Sequence, residues 1–266
     1  MPRRRLTIAL ALALVLPVGA AGAERLTDEQ VRKLIEDIDE GYKTWKQDLE
    51  KQNLDDAVIT SAERTVKVKD FLKDFDKAIE TFESRFKSDY AASPEALTLL
   101  RRGSDVALRN KRQNLPGSSA WSALAAKLDS LAHAYGIGFP IESMNVLAAR
   151  LNDGELAAKV ERMDAAAKLL QKDTEKAAKA NKSIDKATRE SLKGAIQQLQ
   201  EKAKDVRTRL EDDRPASVEV GQLFAETARV KEMVARLSLS GAAGPGMTEI
   251  DTGNEALARA FELKAP

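Results

Sequence analysis

The chain has 266 residues, of which 43 are Lys or Arg, 42 are Asp or Glu, one is His and none is Cys. Without cysteine the chain can form neither a disulfide framework nor a lipid-anchored lipoprotein, and one histidine cannot build a zinc or di-iron site that needs several such ligands. The near balance of charge argues against nucleic-acid binding, because domains that bind nucleic acid are normally strongly basic.

The first segment has the pattern of a secretory signal peptide. Three arginines at 3–5 precede an apolar run over 6–18, which is shorter than the roughly 20 residues of a membrane span. Small residues over 21–23 predict cleavage after Ala23, so that 1–23 is removed. The mature chain keeps 40 basic and 42 acidic residues, a charge of about −2. We expect it in the periplasm or secreted, without a transmembrane segment, by general secretion or the twin-arginine route.

Two helices with heptad spacing are predicted next. Thr27 and Gln30 form the capping-box pattern at the start of the first helix. Apolar residues of the first helix then recur at alternating spacings of three and four, at Val31, Ile35, Ile38, Tyr42, Trp45 and Leu49. A second helix is predicted over about 55–90, with the same spacing at Val68, Leu72, Phe75, Ile79, Phe82 and Phe86. Two successive helices of this kind predict an antiparallel hairpin.

Four of the seven phenylalanines share one side of this second helix: Phe71, Phe75, Phe82 and Phe86. At about 100° per residue they fall within roughly 60° of one another. Leaving four such side chains exposed would forgo on the order of 6 to 12 kcal/mol, so we expect the first helix to cover most of the row. Alternatively, part of the row lines a groove for an extended or helical client. LTDEQ at 26–30 resembles one copy of the LTxxQ motif of periplasmic chaperones.

Further helices are predicted over 93–113 and 118–135, which complete an N-terminal helical-hairpin bundle at 24–138. GIGFP marks its end, because two glycines and a proline within five residues do not continue a helix.

A second helical bundle is predicted over 139–238. It begins with a short helix that ends at Leu151 and continues with long alanine-rich helices over about 155–181 and 184–212. We expect 239–266 to be a flexible linker and a short amphipathic segment. With no strand pattern and no visible internal repeat, the predicted class is all-α, with elongated antiparallel bundles and coiled-coil-like seams.

One basic cluster stands out, in the segment RRGSDVALRNKR. Its members are Arg101, Arg102, Arg109, Lys111 and Arg112. Arginines presented together bind phosphate or carboxylate groups through paired donors. The alternative is a solvated helix face that is balanced by neighbouring acidic helices.

The sequence offers little for catalysis or metal binding. His133 lies between alanines in a predicted helix, and the carboxylates of EDIDE at 36–40 point in different directions around theirs. Glu142 followed by Ser143 resembles the Glu-Ser sequence at the catalytic glutamate of the lytic transglycosylases, which need only that one glutamate as general acid and base. No nucleophile elbow or Walker A loop is present. We therefore predict no catalytic residue, no metal and no cofactor.

These observations predict an exported, non-catalytic helical protein that binds or scaffolds in the cell envelope. Its partner would be a protein or another envelope component and not nucleic acid, and helical seams are also compatible with a homo-oligomer. The first alternative is a client-binding chaperone that uses the face from Phe71 to Phe86. An alternative of a different class is a peptidoglycan-cleaving enzyme that uses Glu142.

Overall fold

The computed structural model describes residues 25–54, 57–60, 65–113, 118–143 and 145–266. The chain is 76% helical, with eight helices and one two-stranded hairpin in these residues, which confirms the all-α class. The predicted signal peptide, 1–23, lies outside the described residues. None of the helices described has an apolar stretch long enough to cross a bilayer.

The elements follow one another in a simple order. The helices are α1 (Asp28–Lys51), α2 (Val68–Arg85), α3 (Ser93–Gln113), α4 (Ser118–Ala134), α5 (Asp153–Ala180), α6 (Lys186–Glu211), α7 (Ser217–Arg236) and α8 (Ser240–Ala260). The strands β1 (Val58–Thr60) and β2 (Thr65–Lys67) lie between α1 and α2 and pair antiparallel, with Ile59 opposite Val66.

The predicted helix over 55–90 is wrong at both ends. Its first part contains the hairpin, and α2 begins only at Val68. The reason is local composition, since VIT and TVK are rich in β-branched residues, which favour strands over helices. At the other end Phe86 is extended and Lys87 pairs with Tyr90 in an isolated bridge. The two strands have only three residues each, so the all-α class is unchanged.

The short helix predicted to end at Leu151 is absent from the described residues there, 141–143 and 145–151. Side chains of α3 satisfy part of this backbone instead. The Ile141 N–H donates to Ser104 Oγ at 2.8 Å, and the Arg150 N–H donates to Ser93 Oγ at 3.4 Å. The segment is thus held along α3 in a non-helical conformation.

The flexible linker predicted at the start of 239–266 is wrong, because this stretch forms most of α8. Its glycines serve close helix packing. A Cβ at Gly246 would lie 3.0 Å from the Ala166 carbonyl oxygen, and one at Gly253 would lie 2.3 Å from Met163 Sδ. Glycine therefore lets α8 approach α5 more closely than any other residue would.

Buried apolar residues form two clusters along the chain. The first runs from Val31 to Ile141, with Ala148 packed against it, and the second runs from Leu156 to Phe261, with Leu151 packed against it. We call α1 to α4 with the segment up to Ala148 the N-terminal unit, and α5 to α8 the C-terminal unit. In each unit the first helix packs on the fourth and the second helix packs on the third.

The two units repeat the same pattern, a feature that the sequence analysis missed. The start of α1 reads RLTDEQV from Arg25, and the start of α5 reads RLNDGEL from Arg150, 125 residues later. Every buried residue of α1 has a buried counterpart in α5 at the same offset. The pairs are Asp28 and Asp153, Val31 and Leu156, Ile35 and Val160, Ile38 and Met163, Tyr42 and Ala167, Trp45 and Leu170, and Leu49 and Thr174.

The fourth helices match in the same way, at an offset of 126. Buried or partly buried pairs are Trp121 and Met247, Leu124 and Ile250, Leu128 and Asn254, Leu131 and Leu257, Ala132 and Ala258, and Tyr135 and Phe261. Both helices end with a left-handed residue, Gly136 (φ 67°) and Glu262 (φ 53°). The next N–H donates back five residues in both, from Ile137 at 3.0 Å and from Leu263 at 2.9 Å. The chain is therefore a tandem of two similar four-helix units.

Candidate functional site

The four phenylalanines of the predicted row lie in the core of the N-terminal unit. Phe71, Phe75, Phe82 and Phe86 are only 0 to 4% exposed. Helix α1 supplies much of their cover, since the Tyr42 ring stacks on Phe75 with a centroid distance of 5.3 Å and the Trp45 ring meets it edge-on at 6.2 Å. In this conformation a client has no access to the row.

The basic cluster is engaged in contacts within the chain. Arg102 forms an ion pair with Asp105 at 3.8 Å, and Arg101 is half-buried. Arg109 Nη1 donates to the Val58 carbonyl oxygen at 2.9 Å, which ties α3 to the strand hairpin. The side chains of Lys111 and Arg112 lie outside the described part of the structure. The described arginines of this cluster therefore have structural contacts of their own.

The other residues considered for catalysis or metal binding lie on the surface. His133 and Glu142 are exposed. In the EDIDE segment, Asp39 pairs with Lys43 at 2.6 Å and Asp37 pairs with Lys33 at 3.9 Å, both on the surface of α1. These carboxylates are thus neutralised along their own helix.

The most unusual polar arrangement lies where α1 and α5 meet at their N-termini. The Asp28 N–H donates to Asp153 Oδ2 at 2.8 Å, and the Asp153 N–H donates to Asp28 Oδ2, also at 2.8 Å. Each aspartate is the first residue of its helix. Since the first N–H groups of a helix have no partner within it, each helix supplies the acceptor that the other needs.

Two arginines complete this junction, and each of them contacts the helix start of the other repeat. Arg25 pairs with Asp153 and donates from Nη2 to the Leu151 carbonyl oxygen at 2.7 Å. Arg150 Nη2 donates to Asp28 Oδ1 and to the Leu26 carbonyl oxygen, both at 2.8 Å. If the two repeats were exchanged, the contacts of Arg25 would become those of Arg150, and those of Arg150 would become those of Arg25. Such reciprocity is the mark of an isologous interface, formed here between two units of one chain.

The junction is buried and balanced in charge. The side chains of Arg25, Asp28, Arg150 and Asp153 are 2 to 6% exposed, and two guanidinium groups face two carboxylates. The pKa of Arg25 is lowered from its ordinary value, first by burial and then by the nearby charge of Arg150. The positive ends of the two helix dipoles further favour the carboxylates. Loss of any one member would leave a buried charge unpaired.

A third carboxylate lies beside the junction. Oxygens of Asp28, Asp153 and Asp213 lie within 4.8 Å of one another, and Asp213 also faces Arg32 at 3.8 Å. Arginines already neutralise all three carboxylates. We therefore assign this trio to ion pairing and not to a cation site.

A pocket of about 400 Å³ opens between the two units next to the junction. Its charged and titratable lining consists of Arg25, His133, Arg150, Lys159, Arg259 and Glu262. Much of this lining comes in repeat-related pairs, namely Arg25 with Arg150, His133 with Arg259, Ala134 with Ala260, and Gly136 with Glu262. The pocket therefore lies on the boundary that the two repeats share.

The sequence analysis did not identify Arg25, Asp28, Arg150 or Asp153 as site residues. The available signal was the recurrence of Arg-Leu-x-Asp at 25 and 150, directly before two helices with the same apolar spacing. The first copy by itself indicates a helix cap and a resemblance to the LTxxQ motif, and neither points to a second copy. Comparison of the two helix starts would have identified both the repeat and the junction.

Compared with protein-family models, curated proteins and solved structures, the chain gives no match. Its function is therefore argued from the contacts, burial and charge of its own residues.

Proposed function

We propose that the mature protein is a non-catalytic binding or scaffolding module of the cell envelope. The observation that carries this proposal is the buried, charge-balanced junction of Arg25, Asp28, Arg150 and Asp153. A junction of this kind fixes two helical units in one orientation, because separating them would expose or unpair four charges. A fixed pair of bundles presents the surfaces of both units to a partner in one constant arrangement, which is what a scaffold requires.

The non-catalytic part of the proposal is supported by the environment of Glu142. Its side chain is exposed and forms no hydrogen bond or ion pair with another described residue. A general acid and base normally depends on burial and on neighbours that position it. The alternative of a peptidoglycan-cleaving enzyme thus has only the sequence resemblance in its favour.

The chaperone alternative lacks a supporting observation of its own. It would use the face from Phe71 to Phe86, which lies in the core. A client would have to open the N-terminal unit before it reached these rings. We therefore keep the scaffolding role as the proposal.

The envelope part of the proposal depends on the predicted leader and on exposed apolar residues that a partner would cover. Leu147 is 85% exposed and Val218 is 68% exposed, one in each unit. Large apolar side chains at such exposure are common singly, so they mark positions for a probe and do not by themselves define an interface.

The test places a photo-crosslinking amino acid at Leu147 or Val218 in the full-length precursor, expressed in intact cells. We expect a processed protein in the envelope fraction and a discrete crosslinked partner from at least one position. The matched control places the same amino acid at Leu99, which is fully buried and should give no partner. Retention in the cytoplasm, or no discrete product from exposed positions, would contradict the proposal.

A further inference from the structure

The far end of the C-terminal unit carries an excess of positive charge. Residues 165–200 span the second half of α5, the turn after it and the first half of α6, and we call them the basic end. They contain eight basic and four acidic side chains. The rest of the mature chain holds 32 of the 40 basic and 38 of the 42 acidic side chains. The molecule is therefore positive at this end and negative elsewhere.

The corresponding part of the N-terminal unit does not share this charge. Buried residues of α2 and α6 match at an offset of 124, as Leu72 matches Ile196, so the basic end corresponds to about 41–76. That stretch has seven basic and eight acidic side chains. Since two similar units fold with and without the excess, the fold does not require it. A role in binding accounts for it better.

The tip of the basic end extends past α8. Gly253 lies against Met163 and Gly246 lies against Leu170, so α8 runs antiparallel to α5. Both helices rise about 1.5 Å per residue. The start of α8, six residues before Gly246, is thus about level with the point six residues beyond Leu170 on α5. The end of α5 continues past this level, and residues 179–183 are all exposed.

Four lysines of the basic end are exposed and form no ion pair or hydrogen bond with another described residue. They are Lys172 and Lys176 on α5, Lys182 in the turn and Lys186 at the start of α6. At about 100° per residue, Lys172 and Lys176 lie on the side of α5 opposite its buried row. The two helices and their turn thus present these ammonium groups to solvent together.

Most other charges of the basic end are engaged within the chain. Glu175 pairs with Lys179 at 3.7 Å and with Lys193 at 4.0 Å. Asp185 caps α6 by accepting from the Thr188 N–H at 2.7 Å. Two acidic side chains of the basic end have no such contact among the described residues, Asp173 and Glu190. The four unengaged lysines therefore outnumber the unengaged acids.

The composition of this end favours a flat anionic surface over a fitted protein site. Leu169 is the one large apolar side chain with high exposure among the described residues of the basic end, whereas a stable protein interface has a core of several apolar anchors. Lysine is a hydrated point charge on a flexible stem and needs no fixed geometry to reach a phosphate. Clusters of lysines bind anionic lipid head groups in this way, each adding its own contribution.

We propose that the basic end docks the protein on a bilayer of anionic lipids through Lys172, Lys176, Lys182 and Lys186. The four ammonium groups pair with lipid phosphates at the bilayer surface. The N-terminal unit, held by the junction, then has a fixed orientation to that surface. This inference goes beyond the proposed scaffolding role and does not depend on it, because the charge is present whatever else the protein binds.

The test is flotation of the mature chain, 24–266, with vesicles of equal parts phosphatidylglycerol and phosphatidylcholine, and with vesicles of phosphatidylcholine alone. We expect binding to the anionic vesicles only. Raising the salt from about 0.1 M to about 1 M shortens the screening length from about 10 Å to about 3 Å and should release the protein. Replacing all four lysines by Gln should weaken binding at least about a hundredfold, since each lysine near an anionic surface is worth roughly fivefold.

The matched control replaces four exposed lysines outside the basic end by Gln, and its binding should stay within about threefold of the parent protein. These lysines are Lys73, Lys77, Lys87 and Lys204. A thermal scan verifies that both variants fold. The proposal is overturned if the parent protein binds neutral vesicles equally well, if salt does not release it, or if the two sets of substitutions weaken binding equally.

A second measurement uses the unaltered protein and needs no variant to fold. Labelling of lysine amines with and without anionic vesicles, read by mass spectrometry of peptides, should show protection of Lys172, Lys176, Lys182 and Lys186 and none of Lys73 or Lys77. Uniform protection would contradict docking by the basic end. Equally tight binding of duplex DNA or polyglutamate would overturn the assignment to lipid. Vesicle binding with no crosslinked envelope partner would support the basic end and reject the scaffolding role.

Discussion

The N-terminal and C-terminal units use the same positions with different side chains. Tyr42 and Trp45 of α1 correspond to Ala167 and Leu170 of α5, and all are buried. All ring pairs among the described residues lie in the N-terminal unit. The C-terminal unit compensates with length, since α5 has 28 residues where α1 has 24, and α6 has 26 where α2 has 18. The spacing of apolar residues thus sets the helix arrangement, and their size sets how each core is filled.

The largest effect in this comparison should come from Phe75→Ala in the aromatic core. The Phe75 ring is fully buried and contacts Tyr42, Trp45 and Phe71, so its loss should lower the free energy of unfolding by about 3 to 5 kcal/mol. Leu169→Ala, at a 45% exposed position of α5, is the control and should cost about 1 kcal/mol or less. Urea denaturation of both variants measures the difference. Equal losses would contradict the assigned core.

A smaller loss of stability should follow from Gly154→Ala, at a position where the starts of α1 and α5 differ. Glu29 holds the corresponding position of α1, but a Cβ at Gly154 would lie 2.6 Å from the Ser88 carbonyl oxygen. The backbone must shift, and we expect a loss of about 1 to 3 kcal/mol in urea denaturation. Gly194→Ala in α6 meets no atom within 4 Å and should instead gain about 0.5 to 1 kcal/mol. A gain from both would show that Ser88 does not approach α5.

A gain in stability should follow from Asn254→Leu, which gives α8 the same residue that α4 has at the corresponding position. Asn254 is 1% exposed and its amide oxygen and nitrogen both lack partners in the described structure, whereas Leu128 fills the corresponding position of α4. Replacing the unpaired amide should raise the free energy of unfolding by about 1 kcal/mol, with part of the benefit lost to the larger volume. The reverse change, Leu128→Asn, should destabilise strongly. Thermal unfolding measures both, and a loss from Asn254→Leu would indicate that the amide has a partner.

The smallest effect concerns the start of α6. The pKa of Asp185 lies below its ordinary value of 3.8, chiefly because the Thr188 N–H donates to the carboxylate at 2.7 Å. Because the pKa is lower in the folded state, the ionised carboxylate stabilises the protein above pH 3.8. This stabilisation is lost as the pH falls through the folded-state pKa. Asp185→Ala should therefore be destabilising near pH 7 and should approach the parent protein in strong acid. Asp129→Ala, at an exposed position of α4, is the control and should change the free energy of unfolding at pH 7 by about 0.5 kcal/mol or less, as measured by urea denaturation.

The helical spacing of the sequence predicted most of the fold correctly. The apolar positions of α1 and those of α2 from Val68 onward were identified because alternating spacings of three and four leave few alternatives to a helix. The β-hairpin was missed because it is short and its β-branched residues adjoin a strong helical pattern. Helix α8 was missed because glycine and proline favour a linker in isolation, and only the proximity of α5 explains Gly246 and Gly253.

The candidate site was harder to predict from the sequence than the fold was. The four residues of the junction are ordinary charged residues at two helix starts 125 positions apart, and each start is fully explained by local capping. Their joint role appears only when the two units meet. The pocket also forms only where the two units meet, since its lining comes from α4, α5, α8 and the segments before α1 and α5.

The most direct test of the account is a pair of double-mutant cycles across the junction, Asp28→Ala with Arg150→Ala and Asp153→Ala with Arg25→Ala, followed by urea denaturation. Each single variant leaves a buried charge unpaired and should cost about 3 to 5 kcal/mol. Each double variant should cost less than the sum of its singles, and the two coupling energies should agree within about 1 kcal/mol, because the contacts are reciprocal. Additive losses in both cycles, or coupling in only one of them, would contradict two equivalent units joined by an exchanged set of ion pairs.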